Sequence, residues 1–114
     1  MRKVFWTKLF YFSASFSRGR EVHGHNYALI ATLKHSDKFN EGAVEQKIKK
    51  SIIDKIHSRD LGHDVDFLRG VPITDLNLLK IFSKIITREI QPVKLTELSL
   101  ERDKNTRLSI TAAE

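Results

Sequence analysis

Two histidines separated by a single glycine, His23 and His25, are the side chains of this chain whose types and spacing are best suited to chemistry. Residues two apart in a β-strand project to the same side, so both imidazoles can point at one metal ion. Imidazole nitrogens are common zinc ligands, and a catalytic zinc usually has three protein ligands plus an open position. The pair therefore predicts a zinc-type site that needs a third ligand from a neighbouring strand.

The position from which the preceding strand should supply that third ligand is occupied by Phe16. A phenyl ring cannot coordinate a metal ion. With two histidines, tight zinc binding would need a glutamate, an aspartate, His57 or a substrate oxygen as well. Zinc therefore stays open as a cofactor, with weak binding expected, and no other cofactor is predicted. The chain has no cysteine, which excludes disulfides, thiolate ligands and a cysteine nucleophile or base.

Length and charge place further bounds on the protein. Its 114 residues fit one domain, residues 1–114. Twenty Lys and Arg against 14 Asp and Glu give a net charge of +6, which favours anionic ligands, although many of the lysines fit the exposed faces of helices. No apolar run could span a membrane, and the first residues lead into a strand rather than a cleavable signal, so a cytoplasmic protein is predicted.

The hydrophobic pattern predicts the order strand, strand, helix, helix, strand, strand. The first helix has apolar residues at every fourth position, and the second has Thr74 as its N-cap. Asp103–Thr106 forms the last turn. The predicted elements are strands over 3–17 and 25–34, a helix from 44 to about 57, a helix from 74 to before Pro92, and strands over 93–102 and 107–113.

These elements predict an α+β fold, with a four-stranded antiparallel sheet and both helices on one face of it. The second strand is largely apolar on both faces, so the face without helices must also be covered. Other copies of the same chain are the simplest cover, with sheets joined edge to edge into a closed barrel of several subunits. Self-association is therefore predicted.

Several short motifs, in their order and spacing, resemble the 6-pyruvoyltetrahydropterin synthase family, which includes the 6-carboxytetrahydropterin synthases of the queuosine pathway. The resemblance covers nearly the whole chain. The motifs are Phe12-Ser13-Ala14-Ser15, His23-Gly24-His25-Asn26-Tyr27, Leu61-Gly62-His63, the glutamate Glu101 and, as an imperfect match, Pro72-Ile73-Thr74-Asp75.

The resemblance implies the tunnelling fold, assembled as homotrimers or homohexamers with active sites between subunits. It also implies a carbon–oxygen lyase that acts on 7,8-dihydroneopterin triphosphate, in which three histidines hold zinc as a Lewis acid and a cysteine and an Asp-His pair transfer protons. On this sequence it makes His23 and His25 metal ligands, His63 a proton-transfer residue and Glu101 the pterin-binding residue.

The departures from the family pattern concern the same chemistry. The family's first zinc ligand is Phe16 here, the cysteine is absent, and Gly62 replaces the aspartate that would orient His63. Asp64 or Asp66 could reach the same imidazole from the loop. His63 with Asp64 is therefore the predicted catalytic pair of any remaining activity, although His63 could equally be an exposed loop histidine.

Glu101 has an alternative interpretation, since it could form a salt bridge with Arg107 across the last hairpin. A break in the alternation near Thr96 predicts a β-bulge, which makes Glu97 the competing pocket residue.

Arg18 and Arg20 lie in the loop that follows the first strand. They could be exposed loop charges, or they could bind a triphosphate or another anion beside the histidine pair, because guanidinium matches phosphate bidentately. Both are kept as candidate substrate-binding residues.

The sequence thus predicts a diverged 6-pyruvoyltetrahydropterin synthase-like protein of pterin- or queuosine-type metabolism. It would keep the fold, the self-assembly and a pterin- or purine-type pocket, while the zinc-dependent lyase activity is lost or reduced. One alternative is an active zinc lyase with a remodelled site. The other is a basic module that binds nucleic acid or an acidic protein. Its only support is the charge of +6 together with Arg18 and Arg20, because no nucleic-acid-binding motif is present.

Overall fold

One mixed sheet organises the chain in the computed structural model, which describes residues 3–18, 20–36 and 38–111, apart from the side chain of Arg18. The strand order is β3-β1-β2-β4-β5, and all neighbours are antiparallel except β3, which runs parallel to β1. The predicted α+β class is confirmed, and the two-residue β3 adds a fifth strand. The strands are β1 (Lys3–Arg18), β2 (Glu21–Ser36), β3 (Arg59–Asp60), β4 (Lys94–Arg102) and β5 (Thr106–Thr111).

The hairpin of β1 and β2 is longer than the apolar pattern predicted. Its pairing runs from Lys3 opposite Ser36 to Arg18 opposite Glu21. The alternating pattern marks the second strand only over residues 25–34. Backbone pairing with β1 extends the strand beyond that range, regardless of side-chain polarity. His23 therefore lies inside the sheet.

The first helical segment begins at Asn40, whose side chain accepts a hydrogen bond from the Ala43 N–H at 3.0 Å. Its core residues recur at every fourth position: Val44, Ile48, Ile52 and Ile56. On a regular α-helix such a repeat would rotate away from the core by about 40° at each step, and a wider π-helical turn offsets this drift. The segment consists of α1 (Glu41–Ile48), a π-helical turn (Lys49–Ile53) and α2 (Asp54–Ile56).

The second long helix, α3 (Asp75–Glu89), has the predicted start and end. The Thr74 side chain caps it by accepting a hydrogen bond from the Asn77 N–H at 3.1 Å, and the helix ends before Pro92. Both helical segments pack on the same face of the sheet. No helix in the described part of the chain is both long and apolar enough to cross a membrane. The fully buried core of this layer includes Leu29, Ile48, Ile52, Leu78, Phe82, Leu98 and Leu100.

The helix-free face of the sheet carries both buried and exposed apolar residues. Ala28 and Ile30 are buried there, whereas Phe5, Tyr11 and Val22 are 64–70% exposed. The second strand is thus apolar on both faces, as predicted, and its central residues are buried within one chain.

Strand β4 contains the predicted bulge. Its pairing with β2 shifts register opposite Thr32 and Leu33, and the Thr96 hydroxyl donates a hydrogen bond to the Thr32 carbonyl at 2.9 Å. The last strand is described only to Thr111, so the end predicted at residue 113 lies outside the described residues.

Candidate functional site

His23 and His25 lie on the helix-facing side of β2, on the same side of the strand as predicted. Their rings are parallel within 8°, with centroids 6.4 Å apart. Phe16 is the register partner of His23 across the hairpin, and its ring centroid lies 5.5 Å from that of His23 and 5.8 Å from that of His25. The sheet therefore brings a phenyl ring, rather than a third imidazole, against the histidine pair.

The donors around this pair do not fit a three-ligand zinc centre. Within residues 3–18, 20–36 and 38–111, no three His, Asp or Glu side chains are grouped so that they could hold a metal ion. His23 Nε2 lies 3.3 Å from the Glu21 carboxylate, on the same strand. His57, considered as a third ligand, instead accepts a hydrogen bond at Nδ1 from the Ser13 N–H at 3.1 Å.

Asp103 is the residue of this site that sequence reasoning missed. Its Oδ2 lies 2.5 Å from His25 Nδ1, and its Oδ1 accepts a hydrogen bond from the Asn26 N–H at 2.9 Å. The hydrogen bonds from Asn26 and His25 outweigh desolvation and hold the pKa of Asp103 below its usual range. Asp103 belongs to the predicted last turn. A prediction that β4 is the neighbour of β2 would have placed this turn, and so Asp103, beside His25.

A cleft of about 300 Å³ opens between this end of the hairpin and the start of α3. Burial raises the pKa of the Tyr27 phenol to about 12, so the hydroxyl is neutral. Arg102 donates a hydrogen bond from Nε to Asp75 Oδ2 at 3.3 Å. Aromatic and imidazole rings thus form one wall of the cleft, and the Asp75–Arg102 pair forms the other. The lining residues that matter here are Phe16, His23, His25, Tyr27, Asp75 and Arg102.

His63 also has an aspartate partner, but not a predicted one. Its Nδ1 lies 3.2 Å from Asp60 Oδ1, and its side chain is 72% exposed. Asp64 instead accepts a hydrogen bond from the Asp60 N–H at 3.3 Å, and Asp66 pairs with Arg69. The partner lies three positions before the histidine, whereas the predicted partners, Asp64 and Asp66, follow it in the loop.

Asp60 is well supplied with hydrogen bonds. Partial burial raises its pKa, but bonds from the Gly62 N–H and His63, together with the His63 charge, outweigh this and hold the pKa below its usual range. The Ser17 hydroxyl donates a weaker bond at 3.4 Å. The His63–Asp60 pair therefore lies at the edge of the sheet where β3 joins β1.

Glu101 lies on the helix-free face, opposite to the histidine pair. It is the register partner of Ala28, and it accepts a hydrogen bond from Arg107 Nη2 at 2.9 Å. The salt bridge offered as its alternative interpretation is present. Glu97 occupies the same face. One chain therefore does not bring either glutamate together with His23 and His25.

Arg18 and Arg20 are the remaining candidate substrate-binding residues. The side chain of Arg18 lies outside the described residues, and Arg20 is exposed in the turn between β1 and β2. Their proposed role as phosphate ligands stays a prediction.

No protein-family model matches the sequence, and no curated protein matches it significantly. Several solved structures do match the structure of this chain. The 6-pyruvoyl tetrahydropterin synthase of Caenorhabditis elegans aligns with a TM-score of 0.83 at 15% identity, covering 99% of this chain and 98% of that one.

Two further structures extend the comparison. An uncharacterized protein from Wolinella succinogenes aligns with a TM-score of 0.69 at 15% identity, covering 99% of this chain and 100% of that one. The Plasmodium vivax 6-pyruvoyltetrahydropterin synthase aligns with a TM-score of 0.58 at 12% identity, covering 96% and 98%. The chain therefore has the tunnelling fold of the 6-pyruvoyltetrahydropterin synthases.

Proposed function

We propose that this chain is a diverged 6-pyruvoyltetrahydropterin synthase-like protein of pterin- or queuosine-type metabolism, which binds a pterin- or purine-like molecule and lacks the zinc-dependent lyase activity. The likeness of fold across 99% of the chain supports the relationship. The divergence rests on the histidine site.

Phe16 is the observation that carries the proposal. Catalytic zinc needs three protein ligands to stay bound while a fourth position remains open for substrate oxygens. Here Phe16 lies in register with His23 and packs against both imidazoles. Without a third donor among the described residues, the site would lose the Lewis acid on which the family's lyase chemistry depends.

The cleft remains suitable for a small planar ligand. Its volume of about 300 Å³ is at the lower end of the range of small-molecule pockets. Aromatic rings on one wall offer stacking surfaces to a flat heterocycle, and the Asp75–Arg102 pair offers both an acceptor and donors. A bicyclic ring with amino and amide groups matches this combination.

Self-assembly is the second part of the proposal. The exposed Phe5, Tyr11 and Val22 on the helix-free face are the kind of surface that a second copy would cover. Glu101 projects from that face, so it could bind a ligand only in a cleft to which another copy contributes. We propose a homotrimer or homohexamer.

Zinc titration by calorimetry tests the loss of the metal. The wild-type chain is expected to bind zinc weakly, and Phe16→His to bind it on the order of a hundredfold more tightly, because the third imidazole completes the ligand set. Arg69→His is the matched control, since it adds a histidine at an exposed position that does not line the cleft. Stoichiometric tight zinc in the wild-type chain would contradict the proposal.

Turnover of 7,8-dihydroneopterin triphosphate tests the loss of activity directly. The wild-type chain is expected to show none with zinc present. The second candidate function, an active lyase, is favoured by the His63–Asp60 pair, which retains a histidine and a carboxylate for proton transfer. Turnover comparable to that of an intact family member, lost on His63→Ala, would establish that candidate instead.

A further inference from the structure

The hydrogen bond between His25 and Asp103 fixes which nitrogen of the imidazole carries the proton. An aspartate carboxylate only accepts hydrogen bonds, and Asp103 already accepts the Asn26 N–H at Oδ1. At 2.5 Å from Oδ2, His25 Nδ1 must therefore be the donor. In the neutral ring, Nε2 is then left with a lone pair. It has no hydrogen-bond partner among the described residues.

The Asp103 carboxylate is itself held in place. It accepts the Asn26 N–H at Oδ1, and its own N–H donates to the Asn26 carbonyl at 2.7 Å. Its backbone is left-handed, with φ of 53°, a conformation in which Asp and Asn are the most tolerated residues after glycine. Two backbone hydrogen bonds and a tight turn thus set the position of the carboxylate before any ligand arrives.

We propose that Asp103 is a positioning residue that keeps the His25 proton on Nδ1, so that Nε2 accepts a hydrogen bond from a ring N–H of a flat nitrogen heterocycle bound in the cleft. The His25 side chain is only 17% exposed, and His25 is among the residues that line the cleft. The inference rests on the proposed function, because it names a contact that the proposed ligand makes.

The other polar groups of the cleft favour the same class of ligand. Asp75 adds a second acceptor, and Arg102 donates to it through Nε. An N–H-rich heterocycle therefore finds two acceptors beside aromatic rings, and the Arg102 guanidinium offers further N–H donors to a ring carbonyl.

Asp103→Asn reverses the tautomer with little other change. The asparagine has the same shape, tolerates the left-handed backbone and can still accept the Asn26 N–H through its oxygen. Its amide nitrogen then faces His25 Nδ1 as a donor, which moves the ring proton to Nε2. Long-range ¹H–¹⁵N NMR correlations of the imidazole at pH 8 are expected to show Nδ1 protonated in the wild type and Nε2 protonated in the variant.

Binding of pterin, followed by calorimetry, tests the consequence. Asp103→Asn is expected to weaken pterin binding by about tenfold, the cost of one lost hydrogen bond. Asp66→Asn is the matched control, because the Asp66 side chain is exposed and pairs with Arg69 alone among the described residues. The control should bind like the wild type.

The outcomes separate the inference from the proposed function. A reversed tautomer with weakened pterin binding supports the positioning role, which a merely structural effect on folding would not produce. Equal affinity of the wild type and Asp103→Asn, or Nε2 protonation in the wild type, would overturn the inference and leave the proposed function intact. Failure of the wild type itself to bind pterin would overturn both.

Discussion

The chain contains two histidine–aspartate pairs that share one chemistry and differ in their surroundings. In the His25–Asp103 pair the imidazole is 17% exposed and the donor–acceptor distance is 2.5 Å. In the His63–Asp60 pair the imidazole is 72% exposed and the distance is 3.2 Å. Each aspartate also accepts a backbone N–H, from Asn26 and Gly62 respectively.

This difference shows why a histidine and a carboxylate within hydrogen-bond distance do not by themselves define a site. Water competes for the exposed His63 imidazole, so Asp60 has little control over its orientation. His25 is enclosed by the sheet and by the rings around it, so Asp103 can determine its tautomer. We therefore assign the ligand-binding role to the His25–Asp103 pair.

The largest expected difference between the two pairs is their effect on zinc affinity, measured in the Phe16→His variant. If that substitution restores a zinc site, Asp103 becomes the partner of a metal-bound imidazole, and its loss typically costs 10- to 100-fold in metal affinity. Adding Asp103→Asn is therefore expected to weaken zinc binding by about that factor, as measured by calorimetry.

Asp60→Asn in the same background is the matched comparison. Among the described residues the Asp60 side chain hydrogen-bonds to Gly62, His63 and Ser17 and not to the histidine pair, so zinc affinity is expected to be unchanged. Equal effects of the two asparagine substitutions would remove the distinction between the pairs.

The fold could be predicted from the sequence because the apolar pattern and the helix caps act locally. Thr74 begins α3 as predicted, and the break near Thr96 marks a real bulge. The two-residue β3 could not be predicted, because it is defined only by backbone hydrogen bonds to β1, such as that from the Leu61 N–H to the Ser15 carbonyl.

The site was predicted only in part, since its geometry depends on which strands are neighbours. The spacing of His23 and His25 places them on one side, and the Phe16 position follows from the hairpin. Asp103 reaches His25 only because β4 pairs with β2, and Glu101 lies on the other face for the same reason. Neither relation is encoded by residues close in sequence.

A smaller effect concerns the stability of the His63–Asp60 pair against acid. Because the pKa of Asp60 is lower in the folded chain, its carboxylate stabilises the fold above the unfolded value of about 3.9, and this contribution is lost as pH falls through the folded pKa. Asp60→Asn is expected to lower the thermal midpoint by about 3 °C at pH 6.

The gap between wild type and Asp60→Asn should then close as the pH falls from 6 to below the unfolded pKa and on through the lower folded pKa. Thermal unfolding followed by circular dichroism across this range measures it. A gap of constant size would mean that the shape of the side chain, rather than its charge, supports the loop.

The smallest expected effect belongs to the third carboxylate pair, Glu101 with Arg107, which extends the comparison to the helix-free face. The Arg107 side chain is 55% exposed, so the ion pair is well solvated and contributes less than about 1 kcal/mol. Glu101→Gln, Arg107→Gln and the double variant form a cycle in which unfolding in urea is expected to give a coupling free energy of about 0.2–1 kcal/mol.

A coupling above about 2 kcal/mol would be too large for a solvated surface pair, and would contradict this placement of Glu101.

The same Glu101→Gln variant separates the effect of Glu101 on stability from its effect in the assembled protein. If Glu101 enters a cleft only through another copy of the chain, pterin affinity should fall in the assembled protein while the unfolding free energy hardly changes. In the His25–Asp103 pair, by contrast, the ligand contact is complete within a single chain, so its effect on affinity should not depend on assembly.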